Sequence, residues 1–140
     1  MTTSANYSLP PREGIVLTPF LTVEDVSRAA DFYERVLGGE IVRRGEPTFI
    51  RLANSWIIVN VGGGPTDDKP TVTLRPPEDP NTANCFMNIR VADVWQCYTE
   101  WSGRGAKFLT EPKDHVNEIR CYMRDPDGYL IEVGQTKFDH

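Results

Sequence analysis

One pattern occurs twice in this chain, and it limits the available folds more than any other feature. Residues 15–23 read as a strand, and Val26, Ala29, Ala30, Tyr33, Val36 and Leu37 follow at helical spacing. Three strands are predicted next, at 40–44, 48–53 and 56–61, with a turn at Asn54-Ser55. The order then restarts. A strand at 85–91 leads to Val94, Cys97, Tyr98 and Trp101 at i, i+3, i+4 and i+7, then to strands at 106–110, 118–123 and 129–133. The halves superpose residue by residue. Phe20-Leu21-Thr22-Val23-Glu24-Asp25-Val26 lies on Asn88-Ile89-Arg90-Val91-Ala92-Asp93-Val94, an offset of 68 (91 − 23). Val61-Gly62 lies on Val133-Gly134 with an offset of 72 (133 − 61), the extra residues falling in strand turns. The chain reads as an internal duplication.

Local signals mark the same boundaries in both copies. Asp25 and Asp93 precede the helices as N-caps, while Gly38-Gly39 and Gly103 with Gly105 stop them. Pro19 cannot donate to a ladder, so the first strand should be open on one side near it. Asp125-Pro126-Asp127-Gly128 is turn chemistry leading into the last strand. Ahead of the duplication, residues 1–14 read as a flexible N-terminal tail. Between the copies, residues 63–84 form a linker broken by Pro65, Pro70, Pro76-Pro77 and Pro80, with a short edge strand predicted at 71–74. No helix or Lys-Ser/Thr pair follows Gly62-Gly63-Gly64, which excludes a phosphate loop. One domain over 15–140 is expected, with module one at 15–62, module two at 85–134 and a short C-terminal tail.

Each copy pairs one sheet with one helix, so the sheet face away from the helix needs a partner. An α+β fold of two tandem βαβββ modules follows, the two sheets facing each other around an open-barrel cleft. Alternation names its lining: Thr18, Phe20, Thr22, Ile58 and Asn60 from module one, and Phe86, Asn88, Arg90, Leu130 and Glu132 from module two. Under the repeat, Thr18 corresponds to Phe86 and Asn60 to Glu132. Phe20, Phe86 and Leu130 would desolvate the Glu132 carboxyl.

These residues resemble a known family. The paired modules, the Val23-Glu24-Asp25 entry to the Phe32-Tyr33…Leu37-Gly38 helix, and Asp125-Pro126-Asp127-Gly128…Ile131-Glu132 are similar to the vicinal-oxygen-chelate superfamily of glyoxalases, bleomycin-resistance proteins and extradiol dioxygenases. The resemblance implies four metal-ligand positions at Thr18, Asn60, Phe86 and Glu132. Only Glu132 is a ligand of the usual type, Phe86 cannot coordinate, and Thr18 and Asn60 are weak neutral donors. No metal is therefore expected. The sequence favours a bleomycin-resistance-like protein that binds a small amphiphilic or aromatic molecule. The alternative is a glyoxalase-type lyase or isomerase, with a divalent metal using Glu132 or with Glu132 as catalytic acid/base.

The remaining candidates carry two readings each. Glu132 is either a site residue or the partner of Arg120 or Arg51 in an ion pair. Arg90 either anchors an anionic ligand group or is solvated at a strand end. Trp101 packs in the core, Trp56 could wall a flat ligand, and Trp95 an oligomer contact. His115 reads as a solvated loop residue and His140 as part of a disordered end. Three cysteines (Cys85, Cys97, Cys121) without metal-ligand spacing suit buried thiols in a cytoplasmic protein. A net charge of −5 argues against nucleic acid or an anionic membrane as partner. No apolar run reaches the roughly 20 residues a membrane span needs. The open strand near Pro19, Trp95 and the family resemblance point to a homodimer.

Overall fold

A computed structural model describes residues 9–138. The expectation for His140 lies outside the described residues. The chain divides into two units at Pro76–Pro77, each holding one copy of the repeat.

Unit one contains β1 (Phe20–Val23), α1 (Val26–Arg35), β2 (Glu40–Arg43), β3 (Thr48–Leu52) and β4 (Ser55–Val61) in a sheet of order β1-β4-β3-β2. Asp25 caps α1 as its sequence predicts, its Oδ1 accepting from the N–H of Ser27 (2.9 Å) and Arg28 (3.2 Å). Ala29, Ala30, Phe32 and Tyr33 bury the inner stripe of α1 against Ile50 and Val59, which are fully covered. At φ +78°, Gly38 supplies the left-handed residue that turns the chain out of the helix.

β1 starts five residues later than its predicted first residue, for a reason written in the sequence. It runs parallel to β4 with Phe20 opposite Ile58. The next step of that ladder would need an N–H from residue 19, and Pro19 has none. Ile15 and Leu17 stay exposed. The β3–β4 turn falls at Ala53-Asn54 rather than Asn54-Ser55, because Ala53 takes the positive φ of 53°. The predicted strand at 71–74 is also corrected. The backbone there makes an isolated bridge between Gly63 and Leu74 and a turn hydrogen bond from Val72 N–H to Lys69 O (3.2 Å).

Unit two contains β5 (Met87–Arg90), α2 (Val94–Gly103), β6 (Lys107–Phe108), β7 (Lys113–Asp114), β8 (Glu118–Arg124) and β9 (Leu130–Thr136). Its sheet runs β5-β9-β8-β6, with β7 also paired to β8. The α+β class and the two βαβββ modules are as expected; β7 is an addition the sequence did not signal. Asp93 caps α2 through Gln96 N–H (3.0 Å), and Gln135 Oε1 reaches across from β9 to accept the Val94 N–H (2.9 Å). Cys121, Met123, Ile131 and Val133 form the buried face. The apolar stripe expected along α2 is only partly in the core. Val94 is buried, whereas Cys97, Tyr98 and Trp101 are half-buried and Trp95 is exposed. Tyr98 spends its ring on Phe108 (4.9 Å) and Trp95 (5.8 Å) at the helix flank. Among the described residues no helix is long and apolar enough to cross a membrane.

Candidate functional site

Strand pleating places Leu130, Glu132, Gly134 and Thr136 of β9 on the face of unit two away from α2. Opposite them in register stand Arg124, Tyr122, Arg120 and Glu118 of β8. From the other side β5 sets Asn88 against Glu132 and Arg90 against Gly134. Three of the predicted site residues, Asn88, Arg90 and Glu132, therefore come together.

The Glu132 carboxylate is nearly covered, and both of its oxygens have partners. Tyr122 donates its hydroxyl hydrogen to Oε1 at 3.3 Å, and an Arg90 guanidinium nitrogen lies 3.6 Å from Oε2. The partner is thus Arg90, neither of the two arginines expected. Arg120 pairs with Glu118 (2.8 Å), and Arg51 belongs to unit one beside Glu40 (3.9 Å). Arg90 ends β5 with its side chain exposed, yet tied in on several sides. It also donates to Glu118 (2.9 Å) and to the Thr136 hydroxyl (3.0 Å), and lies 3.5 Å from Asn88 Oδ1.

Gly134 makes this arrangement fit. A Cβ there would lie 2.1 Å from Arg90 Nη1 and 2.8 Å from Cζ, so the guanidinium rests flat where a side chain would stand. Two guanidinium groups hold the Glu118 carboxyl below its ordinary range, Arg120 more than Arg90. Burial, and then the neighbouring Glu132 charge, pushes the Tyr122 hydroxyl up. Phe86 stands ahead of β5, exposed, with its ring edge-on to Tyr122 at 6.0 Å; Leu130 is half-buried on the same face. Tyr122 joins the apolar and ionic residues of this face, and sequence reasoning missed it. The signal was the i, i+2 run Glu118, Arg120, Tyr122, Arg124 in a predicted strand.

In unit one the corresponding face is mainly apolar along β1 and β4, with Arg51 and Glu40 on its β3–β2 side. Phe20 lies opposite Ile58, Thr22 opposite Asn60, and Phe49 on the far side of Ile58. Asn60 turns its Oδ1 back to the Val61 N–H at 2.8 Å. Trp56 is buried, with the Arg51 guanidinium 5.1 Å from its ring centroid. Leu9, Pro10, Pro11, Arg12 and Val16 complete an open depression of about 370 Å³ around them, so residues 9–12 of the expected tail border Trp56. Thr18 sits half-buried ahead of β1.

The strand registers alter the internal correspondence. Counted from the capping aspartates, Phe20 matches Asn88, and their parallel partners are Ile58 and Glu132. The structural counterpart of Glu132 is Ile58, and that of Asn60 is Gly134, two residues from the match that Val61-Gly62 suggests.

The four positions implied for a metal do not suit one. Phe86 has no donor atom, Asn60 Oδ1 is taken by its own backbone, and both Glu132 oxygens are engaged. Among the described residues no group of three or more His, Cys, Asp or Glu side chains is placed to hold an ion. His115 is exposed, its N–H bonded to Glu118 O (2.8 Å). Burial raises both Cys97 and Cys121, the latter to about 11, so neither is an activated nucleophile.

Comparison with known proteins completes the picture. Residues 15–133 match the family model described as Glyoxalase/Bleomycin resistance protein/Dioxygenase superfamily. Lactoylglutathione lyase of Neisseria meningitidis serogroup A is 27% identical over 129 residues, covering 87% of this chain and 91% of that protein. A glyoxalase/bleomycin resistance protein/dioxygenase from Nocardioides superposes with a TM-score of 0.73 at 15% identity, over 94% of this chain and 89% of that one. TnmS3, an antibiotic binding protein from a Streptomyces species, superposes with a TM-score of 0.64 at 18% identity, over 91% of this chain and 99% of that one.

Proposed function

Because this chain belongs to the Glyoxalase/Bleomycin resistance protein/Dioxygenase superfamily, we propose that it binds a small amphiphilic or aromatic molecule without a metal, as bleomycin-resistance-like members do. The observation that carries this reading is the state of Glu132. The one carboxylate among the four implied ligand positions is already held by Tyr122 and Arg90, beside the exposed ring of Phe86. A polar group fixed next to exposed aromatic surface suits a ligand with an apolar body and a polar end. On module two the proposed contacts are Phe86, Asn88, Arg90, Leu130 and Glu132; Thr18, Phe20, Ile58 and Asn60 are the contacts proposed for module one taken by itself. The antibiotic-binding name of one structural neighbour agrees. Elemental analysis of protein purified without chelator is the test. Less than 0.1 equivalent of divalent ion is expected, as an order of magnitude, and a stoichiometric ion lost in Glu132→Gln would overturn the reading.

The names of the curated relatives support a second reading, a lyase or isomerase of the glyoxalase type with Glu132 as acid/base. Tyr122, 3.3 Å from Glu132, would then be the neighbouring hydroxyl that orients it. Formation of S-lactoylglutathione by the protein without added metal, abolished in Glu132→Gln, would establish it. We propose further that the protein is cytoplasmic and a homodimer; light scattering at micromolar concentration tests the dimer.

A further inference from the structure

The face that carries Glu132 holds more positive charge than its own acids neutralise. Arg90 and Arg120 are committed to Glu118 and Glu132. Arg124, the third arginine on β8, is not. One guanidinium nitrogen donates to Asn81 Oδ1 at 2.8 Å, and its Nε is buried with no acceptor. Directly opposite Arg124 on β6 stands Lys107. Phe108, next along β6, turns the other way and packs on Tyr98 of α2, which leaves Lys107 on the same face as Arg124.

Like charges directly opposite in an antiparallel pair are destabilising, and this pair occurs in a chain of net charge −5. Among the described residues neither cation forms an ion pair. Two nearby acids have partners of their own. Asp125 Oδ1 accepts from the N–H of Asp127 and of Tyr129, both at 2.9 Å, inside the hairpin. The Asp79 carboxylate is bound by Asn81 N–H and the Thr82 hydroxyl, both at 3.0 Å, and feels Arg124 only as a weaker, more distant charge.

We infer that Lys107 and Arg124, with Asn81 as the tether of Arg124, form an oxyanion site that receives the acidic group of the ligand. Leu130 lies opposite Arg124 in register, and Phe86 reaches the same face through Tyr122, so the apolar body has a place beside the anion. The inference rests on the proposed binding function and adds the ligand's class: an acidic amphiphile bearing a carboxylate or phosphate. The anchoring role suggested by sequence for Arg90 thereby passes to Arg124, which gives one hydrogen bond to Asn81 and none to a carboxylate.

Titration calorimetry with 2-naphthoate, its neutral counterpart 2-naphthamide, and inorganic phosphate tests this. Naphthoate is expected to bind at least about tenfold more tightly than the amide, the equivalent of one charge-assisted hydrogen bond. Arg124→Gln and Lys107→Gln should each reduce that preference, and the double variant should erase it. Both side chains lie outside the core, so far-UV dichroism should match the wild type. Phosphate competing with naphthoate and not with the amide supports the same site. Equal affinity for acid and amide, or a preference that survives in the double variant, overturns the oxyanion site and leaves the binding function standing. Naphthoate and phosphate binding without any amide binding supports the site and removes the amphiphile reading. Absence of saturable binding by all three probes overturns both.

Discussion

In module one the sheet face away from the helix is built mainly from Phe20, Phe49, Trp56 and Ile58; Asn60 turns to the neighbouring backbone N–H, and Arg51 stacks on Trp56 with Glu40 as its exposed partner. In module two the same face carries Glu118, Arg120, Tyr122, Arg124, Arg90 and Glu132. The scaffolds still correspond: a capping aspartate, a ten-residue helix and a parallel strand pair at one edge of the sheet. A duplicated unit thus keeps what closes its core and diverges where side chains face away from it. The helices differ as well, since α1 buries four residues where α2 buries only Val94.

The helix difference carries the largest expected effect. Phe32→Ala in α1 removes a buried ring and should cost about 3–5 kcal/mol, while Trp101→Ala on half-buried α2 should cost about 1–2 kcal/mol. Urea unfolding measures both, and equal losses would break the comparison.

Gly62 and Gly134, matched in the sequence, separate the modules next. A Cβ on Gly62 would lie 2.3 Å from the Leu74 carbonyl oxygen, which is backbone held by the Gly63–Leu74 bridge. Gly62→Ala should therefore cost about 2–3 kcal/mol. A Cβ on Gly134 meets chiefly the end of a flexible arginine, so Gly134→Ala should swing Arg90 out for about 1 kcal/mol. If Gly134→Ala proves the costlier, the guanidinium seat is more rigid than its exposure implies.

These elements show what the sequence made legible. The caps at Asp25 and Asp93 and the order of strands were local signals, and they held to within a few residues. Pro19 announced the open strand, and the ladder stops there. The two-residue register difference was not legible, because it is fixed by cross-strand hydrogen bonds that a match at Val133-Gly134 cannot report. For the same reason Glu132 was expected to meet Arg120 or Arg51. Its neighbours come from strands 10 and 42 positions away (132 − 122; 132 − 90), and only the sheet order says which are adjacent. The α2 stripe misled because period reports a face, not how much of that face the sheet can cover.

Glu132→Gln tests whether the ionic face is structural. Losing one partner of a fully buried pair costs about 3–5 kcal/mol. Arg90, however, has a side chain 43% exposed and keeps Glu118 at 2.9 Å, so no uncompensated buried charge remains. The expected loss is about 1 kcal/mol in chemical denaturation at pH 7. A loss of 3 kcal/mol or more, as an order of magnitude, would mean that Glu132 is mainly Arg90's counter-charge and would remove it from the site.

The smallest effect concerns acid. Arg120 and Arg90 lower the Glu118 pKa in the folded state, so its ionised form is favoured by folding. Such a group contributes stability above its unfolded value of about 4.3, and that contribution disappears as pH falls through the lower folded value. Stability followed from about pH 6 to about pH 3 should drop less steeply in Glu118→Gln than in the wild type below that unfolded value. Glu40→Gln is the matching change in module one. Its pair with Arg51 spans 3.9 Å between exposed side chains, so the change should alter stability at pH 7 by less than about 0.5 kcal/mol. Indistinguishable acid limbs for Glu118→Gln and the wild type would show that the ionic network of module two lends the fold no more than the surface pair of module one. The charge on that face would then have to be explained by what it binds.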